Sequence, residues 1–325
     1  MFKNGRLILF LFPLLINKVS VAQLCGAGTT TVILEETAKY YQTIDWHLEF
    51  DEQFNGDTLD TGVWELTVDS QGAPDGRGSY KTLDNVKVSR GEFFGERTSA
   101  TGVCEIIAKK EDVTRYPVSW NHSIPQVTYH YTSSLIDTKQ HFGWGKYEIR
   151  CKIPKGKGIW SAFWMYSEQN GEGHEIDCFE FANGSSLLHD YDPKRQCKDV
   201  MMNCHSAENV GGNREDWDCP YTYKSSIDYS LDFHTFSVIW NKFECSWYID
   251  NEYIKTMAQW YDIKGNPITP YNIKPAQVAI RNDWFPKNDM SIIVDVDIEK
   301  SKGKPDETTP FPNSFYIDYI RYYSY

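Results

Sequence analysis

Three acids crowd one short apolar run of this 325-residue chain: Glu175, Asp177 and Glu180 in GHEIDCFEF, residues 173–181. Ile176, Cys178, Phe179 and Phe181 are strand or core residues, so the run reads as a strand. Carboxylates this close repel one another and are costly if partly buried. The repulsion has a chemical use. It holds one carboxyl protonated while its neighbour stays ionised, as an acid working beside a base or nucleophile requires. Strand parity adds a condition. Glu175 and Asp177 share a face, whereas Glu180 in a regular strand points to the other. A β-bulge near Cys178-Phe179 supplies one extra residue and returns Glu180 to the face of the other two, and bulges are enriched beside active sites. The same acids could instead bind Ca²⁺ or line a solvated edge, and the motif alone leaves these readings open.

The elements that must position these acids are strands. In Glu244 to Asp250, Cys245, Trp247 and Ile249 face one way and Ser246, Tyr248 and Asp250 the other. In Ser291 to Ile298, Ile292, Val294, Val296 and Ile298 share one face, with Asp295 and Asp297 opposite. Phe236, Val238 and Trp240 alternate likewise, and FYIDYIRYY at 315–323 closes the chain in strand-like form. Period-2 patterning of this kind marks half-buried antiparallel strands. No long amphipathic helix separates them, which argues against an α/β fold. The expected class is all-β, a sandwich of two antiparallel sheets. Gln71 to Ser79 and Leu187 to Ile227 look least strand-like and are read as long loops rimming a site.

Composition excludes several classes. The chain is 41% hydrophobic and 24% charged, as a folded protein is, and its net charge of −12 is unsuited to a phosphate backbone. It carries 11 Trp, 21 Tyr and 17 Phe, an excess of rings suited to flat stacking surfaces as well as to strands. Residues 1–22 have the form of a secretory signal peptide, with Lys3 and Arg6 before an apolar Leu7 to Ile16 and a small-residue exit at Ser20-Val21-Ala22. Cleavage is expected after Ala22, giving a secreted or periplasmic protein with no membrane span. Residues 23–44 form a lead segment and 45–325 one domain. Of the eight Cys, residues 197, 204 and 219 fall in one polar stretch, so a bridge between two of them is expected.

Taken with its surroundings, the motif resembles glycoside hydrolase family 16, the laminarinase and lichenase type. E-I-D-C-F-E has the form of that family's bulged E-x-D-x-x-E. FGWGKYEIRCKIPKGKGIWSAFWMY (142–166) is similar to the strand pair that precedes the motif. FDEQFNGDTLDTGVWE (50–65) is similar to the opening strand, and HTFSVIWNKFECSWYIDNEYI (234–254) to later ones. The resemblance implies a β-jelly roll whose concave sheet forms an open cleft for a poly- or oligosaccharide, in a monomer that needs no cofactor. It implies Glu175 as nucleophile, Glu180 as general acid and then base, and Asp177 between them, in a retaining mechanism. Trp160 and Trp164, and with them Trp144 and Trp284, are expected to stack on sugar rings. Glu148, Arg150, Asn85 and His205 are expected to bind substrate. No metal is assigned to the site. A structural Ca²⁺ is left open, because the usual acidic run becomes Glu52-Gln53-Phe54 while Asp318 matches a residue near that ion. The substrate expected is a β-1,3-glucan cleaved endo, with a β-galactan of the agarase, porphyranase or carrageenase kind as the alternative. A non-catalytic carbohydrate-binding module and a transglycosylase are the other classes carried forward.

Overall fold

The computed structural model describes residues 44–66, 78–90, 102–116, 123, 125–169, 171–184, 192–210, 213–262, 279–281, 285–299 and 303–325. The proposed leader and Trp284 lie outside them. Strands dominate, as the alternation requires. Among the described residues, helix is confined to two short 3-10 turns, Leu83–Asn85 and Pro193–Arg195.

The strands form two large sheets. A ten-stranded sheet is built around Gly145–Lys152, flanked by His234–Trp240 on one side and Asn313–Ser324 on the other. An eight-stranded sheet carries the acids on Glu172–Ala182, between Ile159–Gln169 and Asp199–Val210. Ser291–Ile298 pairs with the far side of Ile159–Gln169. Nearly all pairings are antiparallel; Tyr80–Lys81 runs parallel to Val127–Ser133.

One core lies between the sheets. Ile149, Val238, Trp247 and Phe315 of the larger sheet meet Phe163, Met165, Ile176, Phe179 and Val294 of the smaller. The ring of Phe179 touches those of Phe163, Phe181, Phe236 and Phe315, so the acid-bearing strand is anchored from below by aromatic packing. A buried aromatic of this kind contributes about 3–5 kcal/mol against truncation to Ala.

The segment 187–227 differs from its loop-like reading. Asp199–Val210, Asn213–Asp218 and Tyr221–Lys224 are strands of the smaller sheet. Val200, Met202 and Cys204 point into the core at strand spacing. Met201 between them and the polar residues that follow blur the alternation. The expected bridge within this segment does not form either: Cys197 and Cys204 are free thiols, while Cys219 is disulfide-bonded.

Candidate active site

The bulge inferred from parity is present. Along the pairing with Ile159–Gln169, Asp177 faces Trp164 and Phe179 faces Phe163, so Cys178 is the extra residue. The other edge shows the same slip, with Asp177 opposite Asn203 and Glu180 opposite Met201. Cys178 and Phe179 both turn into the core, and Glu180 emerges on the outer face with Glu175 and Asp177. A bulge disturbs the ladder and leaves backbone groups in need of partners. Here the Asp177 carbonyl accepts the indole N–H of Trp247, which crosses from the opposite sheet at 2.8 Å.

The outer face of the smaller sheet is an open cleft lined by Trp160, Ala162, Trp164, Glu175, Asp177, Glu180, Asp295 and Asp297. The register explains the grouping. Glu180 and Asp295 flank Ala162 from opposite sides, and Asp177 and Ile293 flank Trp164. Ala162 is small, which keeps the floor between the acids open. The indole N–H of Trp160 donates to Glu180 Oε1 and that of Trp164 to Asp295 Oδ1, each at 3.1 Å.

The environment separates the three acids electrostatically. Burial and the negative charge of Glu175 raise the Glu180 carboxyl to about 7, with Asp295 adding to the rise, while His205 and the Trp160 N–H oppose it. Asp177 is 2% exposed. Burial, then the charge of Glu180, pushes its carboxyl well above the usual range, and a hydrogen bond shared with Glu175 opposes that shift. Glu175 remains more open to solvent. The site thus offers proton-bearing carboxyls beside one that can stay ionised, the separation that two-carboxylate chemistry needs.

His205 stands opposite Glu175 on the neighbouring strand. Its Nε2 lies 3.3 Å from Asp177 Oδ2 and 3.9 Å from Glu175 Oε1. Asn203 Oδ1 accepts the backbone N–H groups of Cys204 and Cys219, which turns the Asn203 amide nitrogen toward His205 Nε2 at 2.8 Å. In the neutral ring, Nε2 then accepts. Glu175, Asp177 and His205 each bring one ligand atom within 4.8 Å of the others, so they are the described residues that could hold a cation.

Four expected substrate contacts do not join this cleft. Glu148 and Arg150 lie on the outer face of the larger sheet, across the sandwich from the acids. Glu148 bonds Lys146 and the Tyr319 hydroxyl, and Arg150 bonds Asp318 at 2.6 Å. Their shared parity was correct, but parity does not say which sheet a face belongs to. Asn85 is buried in the turn Leu83–Asn85, and its amide is engaged by the Ile107 carbonyl and the Thr132 hydroxyl. Trp144, 44% exposed, precedes a strand of the larger sheet and is not among the residues around the acids. At Asp318, the residue matched to the family's calcium region, the Arg150 guanidinium is the ion-pair partner.

Comparison with known proteins places this geometry. The sequence profile of Glycosyl hydrolases family 16 matches residues 100–297, more than half of the chain. The chain belongs to that family. It is 24% identical over 298 residues to glucan endo-1,3-beta-glucosidase A1 of Niallia circulans, covering 85% of this chain and 38% of that relative. The chain thus spans about two fifths of that protein's length. The laminarinase catalytic domain of Thermotoga maritima MSB8 superposes with a TM-score of 0.60 at 27% identity, covering 87% of this chain and 99% of that one. The kappa-carrageenase of Pseudoalteromonas carrageenovora shares the fold, with a TM-score of 0.58 at 18% identity over 86% of this chain and 94% of its own. With these relatives, the two-sheet sandwich is the family's jelly roll.

Asp295 and Asp297 are the lining residues that the motif-based reading passed over. Their alternation against Ile292, Val294, Val296 and Ile298 was visible in the sequence. Placing them in the cleft required knowing that their strand pairs with Trp160 and Trp164.

Proposed function

We propose that the protein is a retaining endo-glycosidase acting on a β-linked glucan, with a β-1,3-glucan as substrate. The observation that carries this reading is the bulge that puts Glu175, Asp177 and Glu180 on one face of an open, tryptophan-lined cleft while Glu180 is held at about 7.

In the proposed reaction, Glu180 protonates the glycosidic oxygen as the bond to the anomeric carbon breaks. Glu175 attacks that carbon and forms a glycosyl ester. Glu180, now ionised, takes a proton from water, which attacks the same carbon and releases Glu175. The positive charge that develops at the anomeric carbon as its bond to the leaving oxygen breaks is stabilised by an ionised Glu175, and the proton held between Asp177 and its neighbours is what keeps the cluster from carrying three charges at once. Trp160 and Trp164 provide stacking faces for the sugars. His205 and Asn203 orient Asp177. We include in the proposal export by a cleaved leader, residues 1–22, and action as a monomer.

Incubation with a panel of β-glucans and β-galactans, with products separated by chromatography, tests the reading. Cleavage of β-1,3-glucan by the parent and its loss in Glu175→Gln and Glu180→Gln are expected. Binding without cleavage across the panel would favour a carbohydrate-binding module.

A further inference from the structure

A lysine with no exposed side-chain surface sits behind the cleft wall. Lys81, on the short strand Tyr80–Lys81, places Nζ 2.6 Å from Asp297 Oδ1 and 3.4 Å from Asp295 Oδ2, and it donates to the Val296 carbonyl. Burying an ammonium costs several kcal/mol unless carboxylates and hydrogen bonds compensate, and removing one member of such a set strands the others. The position of Lys81 is secured locally. The Ser133 hydroxyl bonds the Val296 carbonyl at 2.6 Å, and the Gly78 N–H bonds the Ile298 carbonyl at 2.9 Å. A Cβ at Gly78 would come within 2.5 Å of that oxygen, so the short strand can lie this close to Ser291–Ile298 only with glycine there.

The two acids are not buried equally. The Asp295 side chain is 5% exposed and spends its second oxygen on the Trp164 indole; that of Asp297 is 15% exposed and lines the cleft beside Trp160. The trio carries a net negative charge. Among the described residues, those lining the cleft include five carboxylates and neither arginine nor lysine, Lys81 lying behind them. Recognition of a sulfate or a uronate calls for such cations.

Building on the glycosidase reading, we propose that Lys81, Asp295 and Asp297 form a specificity clamp. Asp295 fixes the ring of Trp164, and Asp297 accepts a hydroxyl of the sugar bound beside Glu180. The clamp's negative charge admits neutral hexose units and rejects sulfated or carboxylated ones. Asp297 is the specificity residue of the set, and Lys81 is a positioning residue acting through both acids.

The test uses the full chain, with circular dichroism to confirm folding of each variant. Asp297→Asn keeps the shape and removes the anionic acceptor. On neutral β-1,3-glucan oligosaccharides it should raise KM by about tenfold, the size of one lost charge-assisted hydrogen bond, with kcat changed less than about threefold. Asp295→Asn should shift tryptophan emission and lower kcat and kcat/KM together by displacing Trp164. Lys81→Met should reproduce both effects; if it fails to fold, the two Asn variants decide. Binding is measured separately by calorimetry in the Glu175→Gln background, with neutral glucan and sulfated galactan oligosaccharides as probes. Tighter binding of the neutral probe, weakened by Asp297→Asn, is expected. Equal or tighter binding of the sulfated probe, or unchanged neutral binding in Asp297→Asn, overturns the clamp. A parent that binds the neutral probe but cleaves nothing overturns the glycosidase reading and leaves the clamp standing.

Discussion

Replacing Trp160 by Phe isolates one cause of the Glu180 proton affinity. The indole N–H donates to Glu180 Oε1 at 3.1 Å and opposes the rise set by burial and by the charge of Glu175. A donor favours the ionised carboxylate, so its loss must raise the Glu180 pKa further. A net hydrogen-bond contribution of about 1 kcal/mol corresponds to roughly 0.7 pH unit at 1.36 kcal/mol per unit. Glu180 must be protonated to start the reaction, and the alkaline limb of kcat/KM reports that group in the free enzyme. The limb should therefore move upward by roughly 0.7 unit in Trp160→Phe. The plateau should fall modestly, since a smaller ring remains for stacking. Initial rates on β-1,3-glucan between pH 4 and 10 measure both. Trp164→Phe is the control, because its indole serves Asp295 instead and leaves the donor to Glu180 in place. An unmoved or lowered limb in Trp160→Phe would refute the reasoning.

Two further outcomes follow from the same structure. Glu180 and Asp177 keep their protons to higher pH in the folded state than in the unfolded chain, so this contribution is full below the ordinary carboxylate range and is lost as pH rises through about 7. The melting temperature of Glu180→Gln minus that of the parent should accordingly grow more positive between pH 4.5 and 7.5; a constant difference contradicts the shifted carboxyl. Separately, Cys104, Cys151, Cys178, Cys197, Cys204 and Cys245 are free and buried, and burial raises the thiols of Cys104, Cys151, Cys178, Cys197 and Cys245, that of Cys197 to about 12. A disulfide reagent should find these six unreactive in the native protein and accessible in denaturant; rapid native labelling of Cys178 would contradict its place beneath the bulge.

The legible parts of this protein were those that strand parity controls. Period-2 alternation identifies the sandwich, and the parity conflict at Glu180 locates the bulge from the sequence alone. Trp160 and Trp164 share a face by parity, but it was the family resemblance that put that face in the cleft and not in the core, and both line it. Glu148 and Arg150 were assigned to substrate from the family resemblance and their shared face, but two residues on one face can belong to either sheet, and their partners Tyr319 and Asp318 lie far along the chain. Asn85 looked like a cleft residue but had its amide committed to Ile107 and Thr132. The clamp was out of reach for a related reason. Lys81 and Asp295 are separated by 214 positions, and nothing local to either marks the other as a partner.

The central claim is that Glu175 forms a covalent bond to the sugar and Glu180 supplies the proton. An activated 2-deoxy-2-fluoro-β-1,3-linked glucosyl disaccharide slows both steps and accelerates only the first, so it accumulates the ester. Mass spectrometry of the digested protein should then find the sugar on the peptide containing Glu175, with fragmentation placing it on that residue. A sugar on Glu180, or no adduct from an enzyme that turns over β-1,3-glucan, would contradict the account.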